Sequence, residues 1–232
     1  MSKVPVIRRF LCQAKKYALP LRLRLALFFD RDPYIIEVGA NDGKTGDPLY
    51  GLISRNNNFR ALLIEPVPYL FSKLQEAYAG LDRCVLENVA IDSNASRKPI
   101  YFIDPSAESF VENLPPYFEE LATFNKSNLI DLLGSKYVGF IREAIVEVCP
   151  LSYLISKHRI SKVSILQIDT EGYDFEVLKT FPFELLRPRI ICFEHCHLSE
   201  ADRQAAIQFV KSYGFVVEKW GKDYICINHR SF

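Results

Sequence analysis

From residue 34 onward, the chain alternates short apolar runs with segments that have helical periodicity. The apolar runs predict strands at residues 34–38, 61–64, 84–91, 99–103, 147–150, 163–168 and 189–193. The longest helical segment covers residues 199–213, and Ser199 is its expected N-cap. Residues 215–219 and 224–227 have the pattern of a closing hairpin. Strands that lack polar alternation and are separated by helices predict a doubly wound α/β sheet, mostly parallel, with an antiparallel C-terminal hairpin.

Two stretches depart from this rhythm. Residues 1–25 contain seven of the 29 Lys and Arg residues and no acidic residue, and apolar residues are interspersed at amphipathic helical spacing. We therefore predict a basic N-terminal helical segment over residues 1–33 and one main domain over residues 34–232. Residues 106–142, which include Pro115 and Pro116, predict a helical insertion in that domain. Such an insertion either covers the substrate as a lid or lies on the surface without a function.

Composition narrows the class of protein and its partners. A chain of 232 residues, 49% of them hydrophobic, can bury the core of one compact domain. The sequence has no apolar run of the roughly 18 residues that span a bilayer and no signal-peptide pattern, so we expect a cytoplasmic protein. Beyond residue 25, 22 basic and 28 acidic residues give a net charge of −6, which disfavours nucleic acid as a partner. The basic segment could touch an anionic membrane peripherally, although a solvated helix face is the commoner outcome.

Four groups of polar residues follow directly after predicted strands, at the edge where doubly wound sheets bind ligands. They are Glu37-Val38-Gly39-Ala40-Asn41-Asp42-Gly43, Glu65 with Pro66, Gln167-Ile168-Asp169-Thr170-Glu171-Gly172 and Phe193-Glu194-His195-Cys196-His197. Gly39 and Gly43 let the backbone turn tightly beside a ligand, although their spacing departs from the GxGxxG dinucleotide fingerprint. Glu65, 28 positions after Glu37, is suited to accept hydrogen bonds from ribose hydroxyls. Together these features indicate a nucleoside cofactor.

The same motifs resemble the FkbM family of S-adenosylmethionine-dependent methyltransferases. The segments that carry the resemblance are residues 36–43, residues 63–68 with Phe71 and Leu74, Asn88-Val89-Ala90, and the distinctive stretch Ile168-Asp169-Thr170-Glu171-Gly172-Tyr173-Asp174-Phe175-Glu176-Val177-Leu178-Lys179. The match runs from about residue 34 to residue 214 and leaves out the first 30 residues and the 106–142 excursion. Gln167 stands where the family commonly has Lys, so no role of that lysine is carried over. Thr180 stands where the family commonly has Gly, which should alter only a helix end.

The resemblance implies a Rossmann-like class I methyltransferase that transfers a methyl group to a hydroxyl of a sugar, glycan or secondary metabolite. The residues expected to bind the cofactor are Glu37, Gly39, Asn41, Asp42, Gly43, Glu65, Pro66, Asn88, Val89, Ala90 and Asp169. A group that titrates near neutral pH suits removal of the hydroxyl proton, so His195 or His197 is the expected base, with Asp169 and Glu171 orienting it or the acceptor. Strand alternation would put both histidines on the same side of the sheet.

Several alternatives stay open at the level of sequence. Asp169 and Glu171 could simply cap the following helix, and either histidine could be structural. Asp169, Glu171, Glu194 and His195 could bind a divalent metal, which we do not favour because no compact spacing such as HExxH is present. A nicotinamide oxidoreductase would use a similar turn and acid, and a binding module could keep the pocket without chemistry. Neither the acceptor nor the oligomeric state is indicated.

Overall fold

The computed structural model describes residue 27 and residues 30–47, 49–110 and 118–228. The predicted N-terminal segment of residues 1–33 lies almost wholly outside these ranges and stays a prediction. Within the described ranges, no helix combines the length and the apolar character that crossing a membrane requires.

Eleven strands form two sheets in the described part of the chain. They are β1 (Tyr34–Val38), β2 (Arg60–Ile64), β3 (Cys84–Glu87), β4 (Ala90–Ile91), β5 (Ser96–Ile103), β6 (Ala122–Thr123), β7 (Ile141–Cys149), β8 (Ile165–Ile168), β9 (Ile190–Glu194), β10 (Phe215–Trp220) and β11 (Asp223–Asn228). The main sheet has the order β3-β2-β1-β8-β9-β11-β10. Its first five strands run parallel, and β11 pairs antiparallel with both β9 and β10. The predicted doubly wound sheet with an antiparallel C-terminal hairpin is confirmed.

Seven α-helices connect these strands in the described ranges. They are α1 (Tyr50–Arg55), α2 (Pro68–Ala77), α3 (Ala107–Phe110), α4 (Lys126–Leu133), α5 (Leu151–Lys157), α6 (Asp174–Lys179) and α7 (Glu200–Ser212), with 3₁₀ turns at Phe118–Glu120 and Ser135–Phe140. Helix α7 begins as the sequence predicts, because the Ser199 side chain accepts a hydrogen bond from Asp202 N at 3.1 Å. Pro68 opens α2, where its missing N–H leaves no helical bond unmade.

The core lies on both faces of the main sheet. Ile36 and Val38 of β1 pack into the larger cluster on one face, and Ile35 packs into the cluster on the other face. Because alternate side chains of a strand point to opposite faces, a strand covered on both sides is apolar at most of its positions. All five residues of β1 are buried, including the carboxyl-bearing Glu37 at its end.

The smaller sheet has the order β4-β7-β5-β6 and flanks the carboxyl ends of the main strands. Its two long strands, β5 and β7, pair antiparallel over eight residue pairs from Ser96↔Val148 to Ile103↔Ile141. The sequence pattern indicated only residues 99–103 and 147–150, because the remaining parts of both strands are polar and partly exposed. The described part of residues 106–142 contains α3, both 3₁₀ turns, β6 and α4, and β6 joins this stretch to β5.

Candidate active site

A cavity of about 360 Å³ lies at the carboxyl ends of the central parallel strands. Its walls come from the loops that follow β1, β2 and β8, from the segment after β3, from residues 120–128 and from the C-terminal hairpin. This is the edge of a doubly wound sheet at which ligands bind. Three of the four polar groups selected from the sequence lie directly on this cavity, and the fourth contributes His197.

The loop after β1 brings its backbone against the cavity. Gly39 has a φ of +84°, and a Cβ placed on it would lie 1.9 Å from the carbonyl oxygen of Asp169. Only glycine fits, because any side chain would collide with the backbone that follows β8. Asn41, at a φ of +52°, then turns its N–H toward Glu65 Oε2 at 2.9 Å. The loop therefore offers close-packed backbone to a ligand between β1 and β2.

Glu65 lies at the end of β2 with its carboxyl group buried and facing the cavity. Its Oε2 accepts the Asn41 N–H, and its Oε1 accepts the Val67 N–H at 2.8 Å. Burial raises the pKa of Glu65 to about 7, against the opposing effect of these two bonds. Because a carboxylate has about four acceptor positions, both oxygens retain capacity for further donors such as ribose hydroxyls. Asn88 supports this corner by donating to the carbonyl oxygens of Glu65 and Pro66 at 2.7 and 3.0 Å.

Glu37 and Asp47 form a carboxyl pair at the inner end of the cavity. Burial, followed by the neighbouring Asp47 and Asp169, raises the pKa of Glu37 well above its usual range. Burial also raises the pKa of Asp47 to about 6, although Asp47 Oδ1 accepts the Leu49 N–H at 2.6 Å. The two carboxyl groups hydrogen-bond to each other, and this contact raises the pKa of Glu37 and lowers that of Asp47.

Glu171, Glu194 and His197, which we name the acceptor-side cluster, meet at the carboxyl ends of β8 and β9. His197 Nε2 lies 3.1 Å from Glu171 Oε2 and 3.9 Å from Glu194 Oε2. One ligand atom from each residue lies within 4.8 Å of the other two, so a cation could reach all three. Lys222 already places its Nζ 3.7 Å from Glu194 Oε1. Burial, then the nearby Asp169 and Glu194, raises the pKa of Glu171 to about 9.

Most of the sequence-predicted residues lie on the cavity. Those that line it are Glu37, Gly39, Asn41, Glu65, Pro66, Val89, Ala90, Asp169, Glu171 and His197. Asp42, Gly43, Asn88 and His195 are outside the lining. Asp42 accepts the N–H groups of Lys44 and Thr45 and so shapes the turn. Gly43 leaves room for Leu74 and Tyr78, which a Cβ would approach to 2.5 and 2.8 Å.

Of the two histidines, His197 lines the cavity and His195 does not. Strand β9 ends at Glu194, so the alternation of a strand does not extend to either histidine. The ring of His195 is buried and packs on Tyr224 at 4.6 Å between centroids. Burial lowers the pKa of His195, which favours its neutral form. His197 reaches the cavity from the loop beyond the strand.

Sequence reasoning missed the far wall of the cavity. The additional lining residues include Thr45, Asp47, Glu120, Phe124, Asn125, Asn128, Tyr173, Trp220 and Asp223. They lie in turns, in the excursion and in the hairpin, and no local motif identifies them. Among the described lining residues, seven are Asp or Glu and none is Lys or Arg.

The sheet order, the glycine turn and the acidic end of β2 define a class I methyltransferase with a nucleoside-type cofactor site. The chain belongs to the FkbM methyltransferase family, because the model of the methyltransferase FkbM domain matches residues 37–217. It is therefore an S-adenosylmethionine-dependent methyltransferase. No curated protein matches the chain by sequence at a significant level.

Solved methyltransferase structures show similarity at low sequence identity. A putative rRNA methylase from Clostridium thermocellum is 11% identical with a TM-score of 0.48, and the match covers 94% of each chain. Fibrillarin from Aeropyrum pernix with natively bound S-adenosyl-L-methionine is 11% identical with a TM-score of 0.43, covering 94% of this chain and 73% of that one. A precorrin-6y C5,15-methyltransferase from Geobacter metallireducens is 11% identical with a TM-score of 0.44, covering 89% and 83%.

The cavity fits S-adenosylmethionine on the observations of this structure. The missing Cβ of Gly39 lets the loop after β1 pack on the carbonyl oxygen of Asp169, so that the backbones of both loops line the cavity together. The buried carboxyl of Glu65 offers acceptor positions at the end of β2, where ribose hydroxyls are expected.

Proposed function

We propose that this protein transfers a methyl group from S-adenosylmethionine to a hydroxyl oxygen of a sugar, glycan or secondary metabolite. The observation that carries the proposal is the contact of His197 Nε2 with Glu171 Oε2 at 3.1 Å, between two residues that line the cavity. S-adenosylmethionine, when bound, supplies a methyl group that its sulfonium already makes electrophilic. The protein then has to align the acceptor oxygen and accept its proton.

The residues that line one half of the cavity bind the cofactor. Glu65 binds the ribose hydroxyls, and the loop of Gly39 and Asn41 packs against the remainder of the cofactor. Val89 and Ala90 lie beside the expected adenine position after β3. Three residues outside the lining hold these groups in place. Asp42 accepts from the turn at Lys44, Gly43 packs against α2, and Asn88 donates to the carbonyl oxygen of Glu65 at the end of β2.

The acceptor half contains the groups for proton transfer. His197 accepts the hydroxyl proton, Glu171 orients the imidazole, and Asp169 holds the acceptor beside the cofactor. An imidazole suits this step because its ordinary pKa lies close to neutral pH. Because its pKa is raised to about 9, Glu171 contacts His197 Nε2 as a protonated carboxyl at neutral pH, which leaves Nδ1 of the imidazole to accept the hydroxyl proton. His195 is left with a packing role against Tyr224.

The lining indicates an acceptor without phosphate groups. Phosphate recognition uses Lys or Arg, and the described lining has neither. Asn125 and Asn128 offer amide donors and acceptors, and Phe124 and Trp220 offer apolar ring faces. This combination suits a polyhydroxyl compound that has an apolar side.

The domain organisation remains part of the proposal. We infer one methyltransferase domain over residues 34–232, in which the 106–142 insertion covers the acceptor end, because residues 120–128 line the cavity. A cytoplasmic location and peripheral membrane contact of the basic segment stay predictions from the sequence.

Transfer of labelled methyl from S-adenosylmethionine into the small-molecule and glycan fractions of cell extracts tests the function. The expected product is a methyl ether that survives alkaline hydrolysis, formed by the parent protein and lost in the His197→Asn variant. Label in a base-labile ester, in an amine or in nucleic acid would reject hydroxyl transfer.

A further inference from the structure

Asp174, the first residue of α6, is a fully buried carboxyl group that lies outside the cavity lining. Its Oδ2 accepts the Thr170 hydroxyl at 3.1 Å and the Gly172 N–H at 3.3 Å. Its Oδ1 accepts the N–H of Glu194 at 3.1 Å. One side chain thus joins the loop after β8 to the end of β9, two segments that carry the acceptor-side cluster.

These bonds enclose Glu171 on both sides. Thr170 and Gly172 are its chain neighbours, and both donate to the same oxygen of Asp174. Glu171 itself has a φ of +52°, a left-handed conformation that a residue with a side chain adopts only when its surroundings hold it there. The conformation of Glu171 therefore depends on the two anchored neighbours.

The opposite side of the cluster is fixed by the third bond. Glu194 is the last residue of β9, and its N–H donates to Asp174 Oδ1. The chain leaves the strand at this point and reaches His197 three residues later. A Cβ on Gly172 would lie 3.0 Å from the carbonyl oxygen of His197, so the two loops are packed backbone to backbone. This packing and the hydrogen bonds of Asp174 together hold the two loops that carry Glu171 and His197.

The position of Asp174 is costly for folding. Burial, followed by the neighbouring Asp169 and Glu194, raises the pKa of Asp174, and the bonds from Thr170 and Glu194 oppose that rise. A residue that served only to start a six-residue helix could do so at the surface without these like-charged neighbours. The cost is consistent with a role in the geometry of the site.

We propose that Asp174 is a positioning residue that sets the distance between Glu171 and His197 by joining the loop after β8 to the end of β9. It touches neither cofactor nor acceptor and acts through the acceptor-side cluster. The consequence for catalysis rests on the proposed function, whereas the consequence for the His197 environment does not.

The test compares Asp174→Asn with a matched control, Asp30→Asn. All three partners of Asp174 are donors, so the amide of Asn must direct its NH₂ at one of them. Asp30 is also buried and accepts from Ser164 and Lys162, but it lies before β1 at the other edge of the sheet. Both variants lose a buried carboxylate, and only one of them affects the cluster.

We expect Asp174→Asn to shift the NMR signals of the His197 imidazole, assigned by their loss in His197→Asn, and Asp30→Asn to leave them unchanged. Methyl transfer should fall about 10- to 100-fold in kcat, with the Kd of S-adenosylhomocysteine within about twofold of the parent. If Asp174→Asn does not fold, Thr170→Val removes one of the three bonds and should shift the same signals less.

Unchanged His197 signals in the Asp174 variant, or equal shifts in the Asp30 variant, would overturn the positioning role. The NMR result is independent of the acceptor. A shifted His197 signal without hydroxyl transfer in the parent would therefore reject the proposed function and retain the positioning role.

Discussion

The ribose role of Glu65 leads to a pH-dependent affinity for S-adenosylhomocysteine. Ribose hydroxyls donate to the ionised carboxylate, so the ligand binds the ionised form of Glu65 better. With a pKa of about 7 in the free protein, the ionised fraction falls from about nine-tenths at pH 8 to about one-tenth at pH 6. Affinity should accordingly weaken about tenfold between pH 8 and pH 6, which corresponds to about 1.4 kcal/mol.

Glu65→Gln should remove that pH dependence and weaken binding throughout. The variant loses charge-assisted hydrogen bonds to the ribose, each worth about 1.5 to 3 kcal/mol, so the Kd should increase on the order of 100-fold. Its amide must also face the N–H of Asn41 or Val67, which both donate to the parent carboxylate. Glu76→Gln, on the exposed side of α2, is the matched control and should bind like the parent.

Isothermal titration calorimetry at pH 6, 7 and 8 measures these affinities, with circular dichroism to verify folding. Asp47, whose pKa is about 6, and Glu37 line the same cavity, so the comparison of parent with Glu65→Gln isolates the contribution of Glu65. A parent affinity that stays constant from pH 6 to pH 8, together with a Glu65→Gln affinity equal to that of Glu76→Gln, would refute the ribose assignment.

Four further predictions follow from the same geometry. Gly39→Ala should abolish cofactor binding or folding, whereas Gly80→Ala, with a similar positive φ but open space around it, should cost only about 1 to 2 kcal/mol in thermal unfolding; equal losses would contradict the steric argument. His197→Asn should lower labelled methyl transfer about 100-fold while His158→Asn does not, and equal rates would remove His197 from the mechanism. The pKa values of Asp47, Glu65 and Glu171 are raised by burial, so these carboxyl groups bind protons more tightly in the folded than in the unfolded chain. The free energy of unfolding without ligand should therefore increase as the pH falls from 8 to about 5. A decrease over that range in thermal melts would reject the pKa directions. Chelation of divalent cations should leave transfer unchanged, because a protonated carboxyl and the nearby lysine already balance the acceptor-side cluster; loss of activity restored by Mg²⁺ or Mn²⁺ would reassign that cluster as a metal site.

The main sheet was predictable from local sequence because both of its faces are covered. A strand such as β1, buried on both sides, is apolar at most of its positions, here at all but Glu37, and that pattern is visible in the chain. The smaller sheet was predicted only in part. Only four of the nine residues of β7 are buried, and β5 contains Pro99, so neither gives the signal of a buried strand.

The cofactor half of the site was predictable for a related reason. Glu37 lies near the end of β1, Gly39 follows β1 and Glu65 follows β2, and parallel strands bring their carboxyl ends to one edge. Asp47 was not predicted, because it contacts Glu37 from a turn ten residues downstream and no sequence motif surrounds it. Glu120 lies in a 3₁₀ turn of the 106–142 excursion, and Asp223 lies at the start of β11. Neither residue follows a parallel strand in the sequence, so no local motif identifies it.

The amino-acid sequence by itself determined the parallel sheet, its hairpin and the polar groups at the strand ends, since these depend on periodicity and adjacency along the chain. Only the tertiary structure decided that His197 rather than His195 faces the cavity, because the strand ends one residue before His195. It also decided that Asp174 joins two loops, since a hydrogen bond between residues 20 positions apart depends on how the sheet packs. Contacts of this kind arise from three-dimensional packing, which local pattern does not encode.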